Sequence, residues 1–142
     1  MIGEESRSFP EWLEKLRTCS NSSERRAVLD RMEPLLEGLA RAETDILFPI
    51  LKRYLGFADW MQQAHIHHGA LRELLGYAKK TTDHEHILEI TDQIADRLAS
   101  YLDEARRILY PRLTQALKPP ELEILKLQLG RYWLLNELSE AA

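Results

Sequence analysis

Apolar residues recur along the chain at helical spacing, and no stretch alternates apolar and polar residues with period two. The pattern predicts an all-α protein. A short first helix covers residues 9–18. There Trp12, Leu13 and Leu16 share a face, and Ser8 and Glu11 have capping-box spacing. After the linker TCSNSS, a long second helix is expected over residues 23–55, with Asn21 and Glu24 at its start. Its apolar stripe is Met32, Leu36, Leu39, Ile46, Leu47 and Ile50. Pro34 and Pro49 should bend or loosen this helix, and Gly56 should end it. A third helix, residues 58–80, carries Met61, Ala64, Leu71 and Leu75, with a weaker second face of Ile66, Ala70 and Tyr77. A fourth starts at Thr82, capped with Glu85, and runs to residue 117 through Ile87, Ile90, Ile94, Leu98 and Ile108. Pro119 and Pro120 open a fifth, residues 120–139.

The fifth helix is apolar on two sides. Leu122, Leu125, Leu129, Tyr132 and Trp133 form one stripe, and Ile124, Leu127, Leu134, Leu135 and Leu138 a roughly opposite one. Two apolar faces need two partners. One should close the bundle. The other is expected to meet a second copy of the chain, giving a homodimer through residues 120–139; the alternative is cover by the first helix. Short loops between long helices predict an up-and-down four-helix bundle. A phrase Ile-Leu-aromatic-Pro-x-Leu occurs twice, at 46–51 and 108–113. It falls late in the second and fourth helices, and so at one end of such a bundle.

Composition adds boundaries rather than a function. A chain of 142 residues, 44% hydrophobic and 30% charged, can build one domain with a real core, here taken as residues 1–142. A net charge of -4 and a pI of about 5.7 argue against nucleic acid or an anionic membrane as the main partner. The single cysteine, Cys19, cannot pair within the chain. The acidic, polar start MIGEESRSF does not read as a signal peptide, and no apolar run reaches the length of a membrane span. The expectation is a cytoplasmic protein whose protein partner the sequence does not name.

Glu43 is the least ordinary residue. It falls inside the apolar stripe of the second helix, between Leu39 and Ile46 and Leu47. A carboxylate there must be protonated, hydrogen-bonded, bound to a cation, or able to reach water or a basic neighbour at a bundle end. His68 falls in the stripe of the third helix, with His65 and His67 on its edges, where solvation suffices. His68 suits a hydrogen-bonded core histidine or a ligand, and it could meet Glu43 across the bundle as a partner or as a second ligand of one metal. Tyr101 lies in the stripe of the fourth helix, most simply as a packed aromatic with its hydroxyl paired. His84 and His86 sit at a helix start and are expected to cap or solvate the turn. No nucleophile–base constellation, phosphate loop or dinucleotide fingerprint is present, so no catalytic residue is expected.

Three segments, LARAETDILFPIL (39–51), HGALRELL (68–75) and YLDEARRILYPRL (101–113), together resemble the hemerythrin-like, or HHE cation-binding, family. Members carry H-x-x-x-E-E-x-x-L-F-P in one helix, a similar motif ending in Y-P two helices later, and a histidine between them. The resemblance implies a four-helix bundle around a di-iron centre. It also implies where ligands should stand. The first histidine falls on Leu39 and its glutamate on Glu43; the middle histidine falls on His68, with Ala64 one turn before; the last motif's pair falls on Tyr101 and Ala105. The family's earliest histidine belongs to a helix before these, and no histidine precedes His65. The first helix is short, so the fifth is expected to take that place. The expectation is thus a degenerate hemerythrin-like domain, non-catalytic and without a cofactor. The alternative is an iron protein with a reduced mononuclear site of Glu43 and His68, completed by Tyr101 or water.

Overall fold

A computed structural model describes residues 9–54 and 56–133. The described residues are helical, and they include no strand. The helices are α1 (Phe9–Thr18), α2 (Ser22–Ala42), α3 (Phe48–Leu51), α4 (Ala58–Lys80), α5 (His84–Glu104), α6 (Tyr110–Ala116) and α7 (Pro119–Trp133). Two π-helical segments, Glu43–Leu47 and Ala105–Leu109, join α2 to α3 and α5 to α6. No described helix is long and apolar enough to cross a membrane. Ser8, Leu55 and the Leu134, Leu135 and Leu138 part of the fifth predicted helix lie outside the described residues.

Local chemistry explains most boundaries. The Asn21 side chain accepts the N–H groups of Ser23 at 2.7 Å and Glu24 at 3.3 Å, satisfying two of the orphan donors that open α2. The expected Thr82–Glu85 box does not form. Asp83 takes the extended N-cap conformation before α5, one residue later than anticipated, and makes no side-chain cap bond. His84 and His86 are exposed there. At the C-terminal end of α4, Arg26 donates to the carbonyls of Ala78, at 2.7 Å, and Thr81. A cation suits the negative end of that helix. Gly56, at φ 98°, turns the chain between α3 and α4 in a conformation that costs other residues more.

The repeated proline phrase produces the two π segments. Phe48 N–H reaches back to the Glu43 carbonyl, and Tyr110 N–H to that of Ala105, five residues rather than four. The next residue in each case, Pro49 or Pro111, has no N–H, and its ring would press on the carbonyl four residues back. Widening the turn immediately before the ring accommodates it. Pro34, exposed on α2, leaves that helix continuous.

The buried side chains form one cluster, with Leu16, Met32, Leu47, Ile94, Leu98 and Trp133 among those sealed from solvent. Full burial of each such side chain is worth about 1.5–3 kcal/mol. Helix α5 packs on α1, α2, α4 and α7. Helices α1 and α7 both pack on α2 and α5, and the Phe9 and Tyr132 rings meet at 6.2 Å. Helix α7 runs against α2: Tyr54 and Arg53 bond Glu121 near its start, and Trp133 stands level with Glu43. Gly38 gives Tyr132 room, since a Cβ there would collide with the Tyr132 hydroxyl. Gly69 and Gly76, inside α4, have no such neighbour among the described residues within 4 Å of a would-be Cβ. Each costs about 0.5–1 kcal/mol relative to alanine.

Arg25 holds the opposite end together. It is 7% exposed. Its Nε donates to the Cys19 carbonyl at 2.6 Å, and Nη1 lies 2.9 Å from Thr91 Oγ1 and 2.7 Å from Asp92 Oδ1. One guanidinium thereby ties the linker after α1 to α5. Arg25→Ala is expected to lower stability to urea by about 2–4 kcal/mol, because it leaves buried acceptors unpaired. Asp92→Asn, altering a carboxylate that is 57% exposed, should cost under about 1 kcal/mol. Equal losses would mean that the surface pair, not the buried bonds, does the holding.

Candidate functional site

Glu43 opens the first π segment and its side chain is fully buried. An ionised carboxylate in such a place is costly unless its oxygens are paired. They are paired from three other helices. Oε1 accepts a short hydrogen bond from the Tyr101 hydroxyl of α5. Oε2 accepts from Trp133 Nε1 of α7 at 2.9 Å. His68 Nε2, from α4, comes within 2.9 Å of Oε1. That imidazole N–H does not point along the line, so the approach has ion-pair distance without hydrogen-bond geometry, and Nε2 is buried with no hydrogen-bond partner. The hydrogen bonds that carry the carboxylate are therefore those of the phenol and the indole. Each bond to a charged group is worth about 1.5–3 kcal/mol.

The structure thus brings Glu43, His68 and Tyr101 together. It adds Trp133, which the helical pattern marks only as packing. The available signal was its type: a buried tryptophan keeps one polar N–H that needs an acceptor. His67 differs from the expected solvated edge. It is half-buried, and its ring stacks on Tyr101 at 4.0 Å between centroids and 10° between planes. His65 is exposed beside Phe48, with ring centroids 4.8 Å apart.

Burial and the Glu43 carboxylate push the Tyr101 hydroxyl well above the usual phenol range, so it serves Glu43 as a firm proton donor. Burial, then His68 and Arg97, pull His67 down to about 4, so its imidazole is neutral at neutral pH. Leu39, Ala64 and Ala105 are all buried and carry no donor atom for a metal. Glu43 and His68 are the conventional ligand types at this point, one carboxylate and one imidazole. Among the described residues, no group of three or more His, Cys, Asp or Glu side chains is gathered to hold a metal. Such a set does not fit a pair of iron ions, which need several ligands and bridging carboxylates. The Tyr101 proton is also held where a phenolate ligand would have to lose it.

No protein-family model, no curated protein and no solved structure matches this chain.

Two pH effects follow from these environments. For Tyr101, the unfolded phenol ionises near about pH 10 while the folded one stays protonated. The folded state then holds the extra proton, so stability is full below about pH 10 and falls as pH rises, by up to about 1.4 kcal/mol per unit. Tyr101→Phe should remove that slope in urea titrations between pH 9 and 11 (about the phenol range). For His67 the sign reverses. The unfolded imidazole takes its proton near about 6.5, and the folded one only near about 4. The stability present above that window is lost as pH falls through it. His67→Gln should flatten the acid side, and an NMR titration placing the His67 midpoint near the unfolded value would contradict the burial argument.

Proposed function

We propose that this chain is a hemerythrin-like four-helix bundle of the cytoplasm in which hydrogen bonds have taken over the metal position, and that it acts as a non-catalytic binding or interaction protein. The observation that carries this reading is the pairing of both Glu43 oxygens by Tyr101 and Trp133. In the family pattern Glu43 is a ligand position, and Tyr101 stands where a histidine would. Trp133 reaches the carboxylate from the side of the missing first helix. That fourth place in the bundle is shared: α7 and then α1 lie end to end along α2 and α5, joined at Phe9 and Tyr132. The second π segment starts at Ala105, the counterpart of Glu43, so the backbone frame persists where the ligand is gone.

A second reading keeps one metal on Glu43 and His68. The unpartnered His68 Nε2, 2.9 Å from the carboxylate, favours it. Metal analysis of untagged protein purified without chelator separates the two. The expected result is less than about one tenth of an iron per chain and no visible absorption band, since this donor set is too small for a tight iron site. Stoichiometric iron, lost in Glu43→Ala, would replace the first reading with the second.

The interaction surface in this proposal is the outer face of α7, where Ile124 is 47% and Leu127 78% exposed. Two such faces meeting would give a homodimer. Light scattering at micromolar concentration should return a dimer, and Leu127→Asp a monomer of unchanged helicity. A monomeric wild-type protein would remove the dimer from the proposal.

A further inference from the structure

Helices α4 and α5 pack on each other, yet a cleft of about 370 Å³ remains between them. Small residues make the room: Ala64 lines it from α4 and Ser100 from α5. One side of the cleft is aromatic, with Trp60, His67 and Tyr101. Trp60 and His67 share a face of α4, two turns or about 10 Å apart. Tyr101 touches both rings. It stacks on His67 at 4.0 Å between centroids and lies 5.7 Å from Trp60, tilted by 30°.

Two polar atoms of this aromatic side are left over. Trp60 Nε1 and His67 Nε2 are buried and have no hydrogen-bond partner among the described residues. A buried indole N–H ordinarily finds an acceptor, as that of Trp133 finds Glu43. The Tyr101 hydroxyl is turned to Glu43 instead. Both orphaned atoms belong to residues of one cleft, the place where a molecule from outside the chain can supply what they lack. Neither atom meets water, so an occupant that reaches them presses aside the exposed side chains lining the same cleft, Gln63 and Arg97. The charges here cancel. Asp96 pairs with Arg17 at 3.2 Å, Arg97 and Glu104 have opposite signs, and His67 is neutral. Nothing in the cleft selects an ion.

We infer that this cleft binds a small neutral heteroaromatic molecule of one or two fused rings, which lies against Trp60 and His67 and accepts a hydrogen bond from the Trp60 indole N–H at a ring nitrogen or carbonyl oxygen. A flat ring suits the aromatic side. The volume is that of a compact small-ligand site. An uncharged occupant gives up no ionic hydration on entry. A neutral imidazole offers Nε2 as donor or as acceptor, so His67 can meet a second polar edge of the ring. The inference does not depend on whether Glu43 is held by hydrogen bonds or by a metal.

Quinoxaline is the probe with acceptor nitrogens, and naphthalene has the same shape without them. The measurement is the set of indole N–H resonances in proton–nitrogen correlation spectra of the labelled protein. The chain has three tryptophans, and Trp60→Phe assigns one of the signals. Quinoxaline is expected to shift the Trp60 signal saturably and to leave those of Trp12 and Trp133 in place. Trp60→Phe keeps a ring and removes the donor. Followed through the Ser100 amide, it should weaken quinoxaline about three- to tenfold and naphthalene by less than about twofold. Naphthalene that does not bind at all would show the same need for an acceptor. Ser100→Trp, at an exposed position, should fill the cleft and weaken quinoxaline by roughly tenfold; it carries the test if Trp60→Phe does not fold. An unmoved Trp60 signal, equal weakening of the two probes by Trp60→Phe, or full affinity in Ser100→Trp would overturn the site. Iron found at Glu43 would refute the metal-free reading and leave this one standing.

Discussion

A carboxylate with no exposure to water sets the terms for the centre of this molecule. Glu43 is buried among leucines, and its charge is tolerable only because Tyr101 and Trp133 donate to its two oxygens. Those donors come from α5 and α7, while Glu43 sits in the long rod that begins with α2. Satisfying one side chain therefore fixes three elements relative to one another. The consequences run outward. Helix α7 must lie level with the π segment, so Tyr132 passes close over Gly38, and the start of α7 comes to rest beside Tyr54. The remaining length along α2 and α5 is left to α1.

The same interaction underlies the proposal that hydrogen bonding stands in the place of metal chemistry here. A bridging glutamate in a di-iron centre uses its lone pairs on cations, with other carboxylates and imidazoles completing the set. Here the lone pairs meet a phenol and an indole, neutral donors that need no companions. Leucine and alanine fill the neighbouring positions, Leu39, Ala64 and Ala105. Buried apolar groups of suitable volume are often no less stabilising than a polar constellation in the same space. On the proposed reading such a core folds without a cofactor, and the exposed face of α7 is where a partner would meet it.

Much of this was legible in the sequence, and the gaps have physical causes. Helical spacing located α2, α4 and α5 and placed Glu43, His68 and Tyr101 on inward faces, because burial follows period 3.6. A wheel gives a face but not a partner, so Trp133 read as packing although its N–H is what completes the site. It also assigns each residue by average position. His67, at the stripe edge, became half-buried because Tyr101 offers its ring face. The helical pattern carries no sign of the role of Arg25, because only the tertiary fold brings Cys19 and Thr91 within its reach. The π segments were signalled by the repeated proline phrase without being foreseen as π. The fifth helix was favoured over the first to pack beside the long helices; in the structure α1 and α7 both pack on α2 and α5, a division that spacing along the chain cannot show.

The most direct test is a double-mutant cycle between Glu43 and Trp133, read by urea unfolding in the presence of a strong chelator. Glu43→Ala strands two buried donors, and Trp133→Phe strands one carboxylate oxygen while keeping an aromatic ring. If hydrogen bonding holds the carboxylate, wild-type stability is unchanged by the chelator and the two substitutions couple by about 1–3 kcal/mol. A chelator that destabilises the wild type, or losses that add to within about 0.3 kcal/mol, would show that something other than the indole and the phenol holds Glu43 in the core.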